Sequence, residues 1–325
     1  MRAFDFDTPR SLSTAVDRAT DNTRYLAGGT TLVDLMKLEV MAPERVLDIN
    51  RLPLKGVRYD RDGLFLGALE RMSDVAEHPL LRGSYRVISQ ALELSASPQL
   101  RNMASMGGNL LQRTRCGYFR DTTMPCNKRE PGSGCPALDG ENRGHAILGT
   151  STSCAATHPS DVAVALVALD AQLQVYGPGG QRTTALKDFY RLPGDTPHLE
   201  HHLRPRELIT AITVPPLAKT TRSGYLKIRD RQSYEFALTS AAVALRIQGN
   251  TIHEARIAVG GVGTRPWRLP AVESALIGKP ATEATYETAA AQSIEEARPL
   301  AHNEFKVELL RRTLVRALIT VGGAR

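Results

Sequence analysis

The sequence predicts an α+β protein, and three observations carry that reading. Helix-period and strand-period segments alternate from a β-α-β start, two Gly-Gly turns punctuate them, and the chain closes on an amphipathic helix. The chain has 325 residues, 42% apolar and 23% charged, which is ordinary globular composition with room for two or three compact units.

The elements follow in order. Thr8-Pro9 reads as an N-cap followed by proline at the first helical position, with the helix continuing through SLSTAVDRAT. Tyr25-Leu26 is a short strand leading into Ala27-Gly28-Gly29-Thr30-Thr31, and 32–37 is a short helix. Val46-Leu47-Asp48-Ile49 and Leu64-Phe65-Leu66-Gly67 read as strands, the second after the turn Arg61-Asp62-Gly63. Apolar residues at Val87, Ile88, Ala91, Leu92 and Leu94 place a helix over 85–95, which Ser97-Pro98 ends. A second Gly-rich element, Ser105-Met106-Gly107-Gly108-Asn109-Leu110, comes next. Residues 112–153 lack periodicity and contain Pro125, Pro131 and Pro136. A loop that long inside a compact domain needs something to order it, such as a metal site. Helix returns over 161–171 and strands over 172–176 and 207–214. After Pro215-Pro216 we place a boundary near residue 218, giving units 1–218 and 219–325, the first interrupted by an insertion at about 112–155. Strands are predicted over 240–247 and 255–259. In the closing helix Val307, Leu310, Leu314, Leu318 and Val321 share one face, with Lys306, Arg311, Arg312 and Arg316 mostly off it.

Charge and patterning exclude some classes. The net charge is +7, but the basic residues are scattered among acids with no aromatic interleaving, which argues against nucleic acid and for an acidic partner or an anionic cofactor. No apolar run reaches the roughly 20 residues of a membrane span, and the N-terminus has no signal-peptide core.

Two features carry chemistry. In the first Gly-rich loop, glycines let the backbone approach a diphosphate, successive N–H groups form an anion-binding nest, and two threonines add hydroxyls. Neither a G-x-G-x-x-G fingerprint nor a G-K-[ST] phosphate loop is present, so a plain strand–helix turn stays open. Two such elements in one chain favour an extended dinucleotide between them. The second feature is the clustering of all four cysteines, Cys116, Cys126, Cys135 and Cys154, as C-x9-C-x8-C-x18-C. Zinc sites usually contain a tight C-x2-4-C knuckle, absent here, whereas four thiolates spread over a loop suit an iron–sulfur cluster. Zinc, disulfides and unrelated thiols remain alternatives on spacing alone. Between Arg101 and His145, seven basic residues stand against four acidic ones, a surround that would raise a cluster's potential.

Together these elements resemble the FAD-binding subunits of the xanthine dehydrogenase / aldehyde oxidoreductase (molybdenum hydroxylase) family. The matching stretches are Leu26 to Leu32; Ser97 to Leu110; His158-Pro159-Ser160-Asp161; Lys227 to Arg231 with Glu235-Phe236-Ala237; and Gly260-Gly261-Val262 with Arg265-Pro266-Trp267-Arg268. They run along essentially the whole chain. Glu235 departs from the Asp that many members carry. The cysteine loop resembles that of bacterial periplasmic aldehyde oxidoreductases, which hold a [4Fe–4S] cluster there; 4-hydroxybenzoyl-CoA reductases space their cysteines differently.

The resemblance implies a two-part FAD-binding domain of the PCMH (vanillyl-alcohol-oxidase-like) type followed by a smaller α+β domain. It implies FAD held by Leu26, Ala27, Gly28, Gly29, Thr30, Thr31, Leu32 and Val33 on one side and Ser105, Gly108 and Asn109 on the other. Asp161 would accept from flavin or ribityl hydroxyls, or simply start a helix. Lys227 would stabilise reduced anionic flavin, or be a surface strand lysine. His158 and Trp267 read as structural. It further implies a heterotrimer with a molybdenum-cofactor subunit that oxidises an aldehyde and a subunit with two [2Fe–2S] clusters. Electrons would pass through FAD to an external acceptor, and the complex would reach the periplasm by co-export on a partner's signal, a cytoplasmic location being the alternative. The other readings are the flavin subunit of a purine, N-heterocycle or aromatic-CoA hydroxylase, and a non-catalytic assembly protein with structural zinc.

Overall fold

The structure is a computed structural model that describes residues 1–323. Strands β1 (Asp5–Asp7), β2 (Thr23–Leu26) and β3 (Arg45–Asp48) form a parallel sheet of order β1-β3-β2, connected by helices α1 (Leu12–Arg18) and α2 (Leu32–Lys37). Helix α1 starts three residues later than Thr8-Pro9 implies. Ser11 is its N-cap, and the hydroxyl accepts from Thr14 N at 3.1 Å, satisfying an N–H the helix leaves unpaired.

Strands β4 (Val57–Asp60) and β5 (Gly63–Gly67) open a five-stranded antiparallel sheet. It is completed by β6 (Gln172–Gly177), β7 (Gly180–Ala185) and β8 (Leu208–Val214) in the order β4-β5-β8-β6-β7. The excursion between β5 and β6 carries α3 (Met72–Glu77), α4 (Pro79–Gly83), α5 (Arg86–Glu93), α6 (Pro98–Met103), α7 (Met106–Leu110), α8 (Gly117–Arg120) and α9 (Asp161–Ala168). Ser97-Pro98 does more than stop α5. The Ser97 hydroxyl accepts from Leu100 N and Pro98 takes the first helical position, so the pair starts α6. Between α8 and α9 the cysteine insertion has no regular structure beyond one three-residue 3-10 turn.

The C-terminal unit is an antiparallel sheet of β9 (Thr221–Ile228), β10 (Thr239–Gln248), β11 (Thr251–Gly260) and β12 (Trp267–Arg268), in the order β12-β11-β10-β9. It is covered by α10 (Pro270–Leu276), α11 (Glu283–Ala290) and α12 (Phe305–Gly322). Leu310, Leu314 and Leu318 of α12 are buried as the periodicity predicts. Lys306, expected off the apolar face, is fully buried. Its ammonium donates to the carbonyls of His145 at 3.0 Å and Gly261 at 2.8 Å, which compensates for desolvation where no acid is at hand.

The two units share a core. All eight residues of α9 are buried, and Val162, Val164 and Leu166 lie in one cluster with β5, β6 and β8 and with Ala242, Ala244 and Ala258 of β10 and β11. Each such side chain contributes about 1.5–3 kcal/mol as an upper estimate. Asp170, at φ +55°, ends this helix short of the predicted 171. The insertion is stitched to the second unit as well: Ile147 N and Leu148 N both donate to Val262 O, and His158 N donates to Gly263 O.

Candidate functional site

The two Gly-rich elements meet. A side chain at Gly28 would place its Cβ 2.0 Å from the Met103 carbonyl oxygen, so only glycine lets the first loop lie against the segment that enters the second. Two residues without a sequence signal complete the contact. Arg71 donates to Met103 O and to Asn50 Oδ1, and Asn50 Nδ2 donates to Ala27 O at 2.8 Å. Gly29 has φ +76°, the left-handed conformation that reverses the chain into α2. Among the described residues the N–H groups of Gly28, Gly29, Thr30 and Thr31 donate to no protein acceptor, and the Thr31 side chain makes no capping bond. The loop therefore offers unpaired donors of the kind that bind a diphosphate.

The second Gly-rich element differs: it is not a loop but the short helix α7 with Ser105 as its N-cap. Met106 N donates to Glu70 O and Gly107 N to Ala68 O; Gly108 N donates to Ser105 Oγ and Asn109 N to Ser105 O. Asn109 Oδ1 accepts from Ser160 Oγ at 2.5 Å, tying this helix to the start of α9. Ser105, Gly108 and Asn109 thus have polar groups already engaged inside the protein. Asp161 and Lys227 are likewise engaged with each other. Lys227 Nζ donates to Asp161 Oδ2 at 2.8 Å and to Leu94 O, while Tyr225 and Ser95 also donate to the carboxylate. The Lys227 side chain is 1% exposed, so it is not a surface lysine.

A cleft opens beyond α9, between the insertion (Arg115, Cys116, Arg143, His145), the start of α9 (His158, Ser160, Asp161), the β9–β10 connection (Asp230, Phe236) and Gly260-Gly261. Arg115 Nε, His145 Nδ1, His158 Nε2 and Ser240 Oγ are buried without a partner among the described residues, and all four residues line this cleft. Buried polar atoms are rarely left so, and their convergence marks a place for a polar ligand. Burial holds His158 neutral by pushing its pKa down to about 3, and it also lowers that of His145. Of the residues expected to hold FAD only Asp161 lines this cleft, while the open N–H groups of the first loop suit the diphosphate of such a ligand.

All four cysteines line one smaller cavity, with Tyr118, Phe119, Lys128 and His145. None forms a disulfide. Among the described residues no set of three or more His, Cys, Asp and Glu is placed to hold a metal ion. A single zinc at about 2.3 Å from each sulfur requires a tight ring of thiolates, whereas a multi-iron cluster spreads its thiolates over separate irons. Cys154 donates to Cys135, which draws the Cys135 thiol down to about 7 and holds Cys154 well above the ordinary thiol range; burial pushes Cys116 up to about 11.

Charged side chains hold the insertion in place. Asp34 of α2 accepts from Arg120 at 2.7 and 3.0 Å and from Arg115 at 3.2 Å, docking the cysteine loop on the helix that follows the first Gly-rich loop. Arg129 donates to the carbonyls of Tyr118, Phe119 and Met124. Glu200 sits between Arg113 at 2.8 Å and Lys128 at 3.0 Å. Burial raises its pKa, but the two cations outweigh that and the net shift is downward. Cys116 and His145 line both the cysteine cavity and the cleft, with His145 Nε2 3.2 Å from Cys116 Sγ.

Comparison with known proteins covers nearly the whole chain. Residues 2–217 match the family described as FAD binding domain in molybdopterin dehydrogenase, and residues 224–321 match the CO dehydrogenase flavoprotein C-terminal domain. The sequence is 46% identical to the aldehyde oxidoreductase FAD-binding subunit PaoB of Escherichia coli over 323 residues, 98% of each chain. It is 29% identical to the glyceraldehyde dehydrogenase medium chain of Sulfolobus acidocaldarius, over 85% of this chain and 82% of that one. A chain of the solved carbon monoxide dehydrogenase of Hydrogenophaga pseudoflava superposes with a TM-score of 0.77 at 25% identity, covering 98% of this chain and 97% of its own.

Proposed function

The chain belongs to the molybdenum hydroxylase family as an FAD-binding subunit, and from that premise we propose that it is the FAD- and [4Fe–4S]-carrying electron-transfer subunit of a molybdenum-dependent aldehyde oxidoreductase. The observation that carries the reading is the shared wall: four cysteines line one cavity that has Cys116 and His145 in common with the cleft. The 46% identity to an aldehyde oxidoreductase subunit supports an aldehyde over purine or N-heterocycle substrates.

In this reading a molybdenum-cofactor subunit converts the aldehyde to the carboxylic acid, with water supplying the oxygen, and a subunit with two [2Fe–2S] clusters delivers the released electron pair to this chain. Bound FAD supplies a carrier that accepts that pair and passes it to an external acceptor. This chain contributes binding and orientation. The unpaired N–H groups of Gly28 to Thr31 hold the diphosphate, with Leu26, Leu32 and Val33 framing the loop. Ser105, Gly108 and Asn109 fix the opposing element, and the Asp161–Lys227 pair anchors α9 to β9 behind the cleft. Cys116, Cys126, Cys135 and Cys154 hold the cluster, and the arginines around them offset its negative charge.

The test is purification of the complex with its partner subunits, followed by FAD, iron, acid-labile sulfide and zinc analysis and by aldehyde-dependent bleaching of the flavin. One FAD bleached by aldehyde, with iron and sulfide beyond what the small subunit accounts for, is the expected result. A complex whose flavin chain holds zinc, or no sulfide of its own, overturns the cluster assignment. Flavin that no aldehyde bleaches overturns the substrate assignment. We place the complex in the periplasm by co-export with a signal-bearing partner, which cell fractionation checks.

A further inference from the structure

We infer that His145 is a positioning residue shared by the two cofactor sites: Nε2–H donates to the Cys116 sulfur, and Nδ1 accepts from an N–H or O–H group bound in the cleft. The inference rests on the reading that the four cysteines hold a cluster.

The geometry supplies each part. Nε2 lies 3.2 Å from Cys116 Sγ, and His145 lines both the cysteine cavity and the cleft. A thiolate only accepts, so the contact requires the proton on Nε2. In a neutral imidazole that tautomer leaves Nδ1 with a lone pair. Nδ1 is buried and has no partner among the described residues. A buried polar atom is rarely left without a partner, so Nδ1 is an acceptor that lacks its donor.

The backbone is held as firmly as the ring. The His145 carbonyl accepts from Lys306 Nζ at 3.0 Å and from Asn303 Nδ2 at 3.3 Å, and both donors are fully buried on or beside α12. His145 N donates to Asn142 O at 2.9 Å. Three contacts on one residue's backbone, two of them from the C-terminal unit, fix a side chain that lines both sites. Hydrogen bonds to cluster sulfurs raise reduction potential by stabilising the more negative reduced state. His145 is therefore placed to set the cluster potential and to help orient the ligand in the cleft.

The test uses the intact complex in wild-type form and as His145→Leu, His145→Gln and Lys306→Met. Iron, acid-labile sulfide and FAD content are measured first, then the cluster midpoint potential by an EPR-monitored redox titration. His145→Leu is expected to keep its iron and sulfide, to show a lowered cluster potential and to retain FAD less tightly. His145→Gln, whose amide can still donate to sulfur, is expected to recover most of the potential. Lys306→Met, which keeps the imidazole but frees its backbone, is expected to give a smaller fall. It decides the matter if His145→Leu loses its cluster. An unchanged potential with an intact cluster in His145→Leu, or in Lys306→Met where the leucine variant has lost iron, overturns the inference. Absence of sulfide from the wild-type flavin chain overturns the cluster reading instead, a separate outcome.

Discussion

The two cofactor regions lie side by side and are built on opposite principles. The Gly-rich pair is fixed by main chain against main chain: Gly28 sits on the Met103 carbonyl, and Met106 and Gly107 donate to Glu70 and Ala68. The cysteine insertion has almost no regular structure; apart from main-chain bonds at Ile147 and Leu148 it is held by side chains, with arginines on carbonyls and carboxylates at Asp34, Glu200 and Asp230. Backbone contacts of the first kind have no slack, because one added carbon has nowhere to go. Ion pairs of the second kind are redundant, so the loss of one is tolerated, and the part of that region with no substitute is its thiolates.

The sharpest way to break this contrast is Gly28→Val. The new side chain collides with the Met103 carbonyl and pushes the two elements apart, so flavin retention is abolished while the clash costs several kcal/mol of stability. Flavin released by denaturing the purified variant reads the first, and thermal unfolding the second. Flavin content equal to wild type would remove the first loop from the site. Next is Cys126→Ser. The iron and sulfide of this chain should be lost while flavin largely remains, since Cys126 lines the cysteine cavity and is absent from the cleft. Unchanged iron would show that Cys126 is no ligand.

Lys306 tests the seam between the regions. Burial draws its pKa from the ordinary 10.5 to about 7, with Arg143 adding to the shift and Asp230 opposing it. Between those values the unfolded chain holds the proton and the folded chain has lost it, so this residue makes stability rise with pH, by up to about 1.4 kcal/mol per pH unit. Denaturant midpoints between pH 7 and 10 should climb less steeply in Lys306→Met than in wild type, and parallel curves would refute the lowered pKa of the buried amine. The smallest effect is expected for Asp34→Asn, which weakens the contact between α2 and the insertion by about 1–3 kcal/mol while Glu200 and Asp230 still hold the loop. A loss of cluster comparable to that of Cys126→Ser would mean the ion pairs are not redundant after all.

How much was legible in the sequence follows the same contrast. The boundaries of α2 could be read, and the strands before and after it located to within two residues, because local periodicity and the first Gly-Gly turn decide them. The cysteine set was legible as a set, since nothing but clustering was needed. Helix starts were harder: Ser11 and Ser97 are caps whose roles depend on which N–H they reach, and Thr8-Pro9 looks equally suitable on paper. Asn50, Arg71, Arg115, His145 and Ser240 carried no motif, because each acts through a neighbour far away in the chain.

By itself the sequence determined the α+β class, the first Gly-rich turn, the cysteine quartet and the family. These are properties of short segments, and backbone conformation and residue chemistry express them without reference to the rest of the chain. Only the tertiary structure decided that Lys306 is buried, that Asp161 and Lys227 pair in the interior, and that Cys116 and His145 belong to both cavities. The reason is physical: whether a polar side chain meets water, a partner or a ligand depends on which distant surfaces close over it, and that is settled when the two units form their common core.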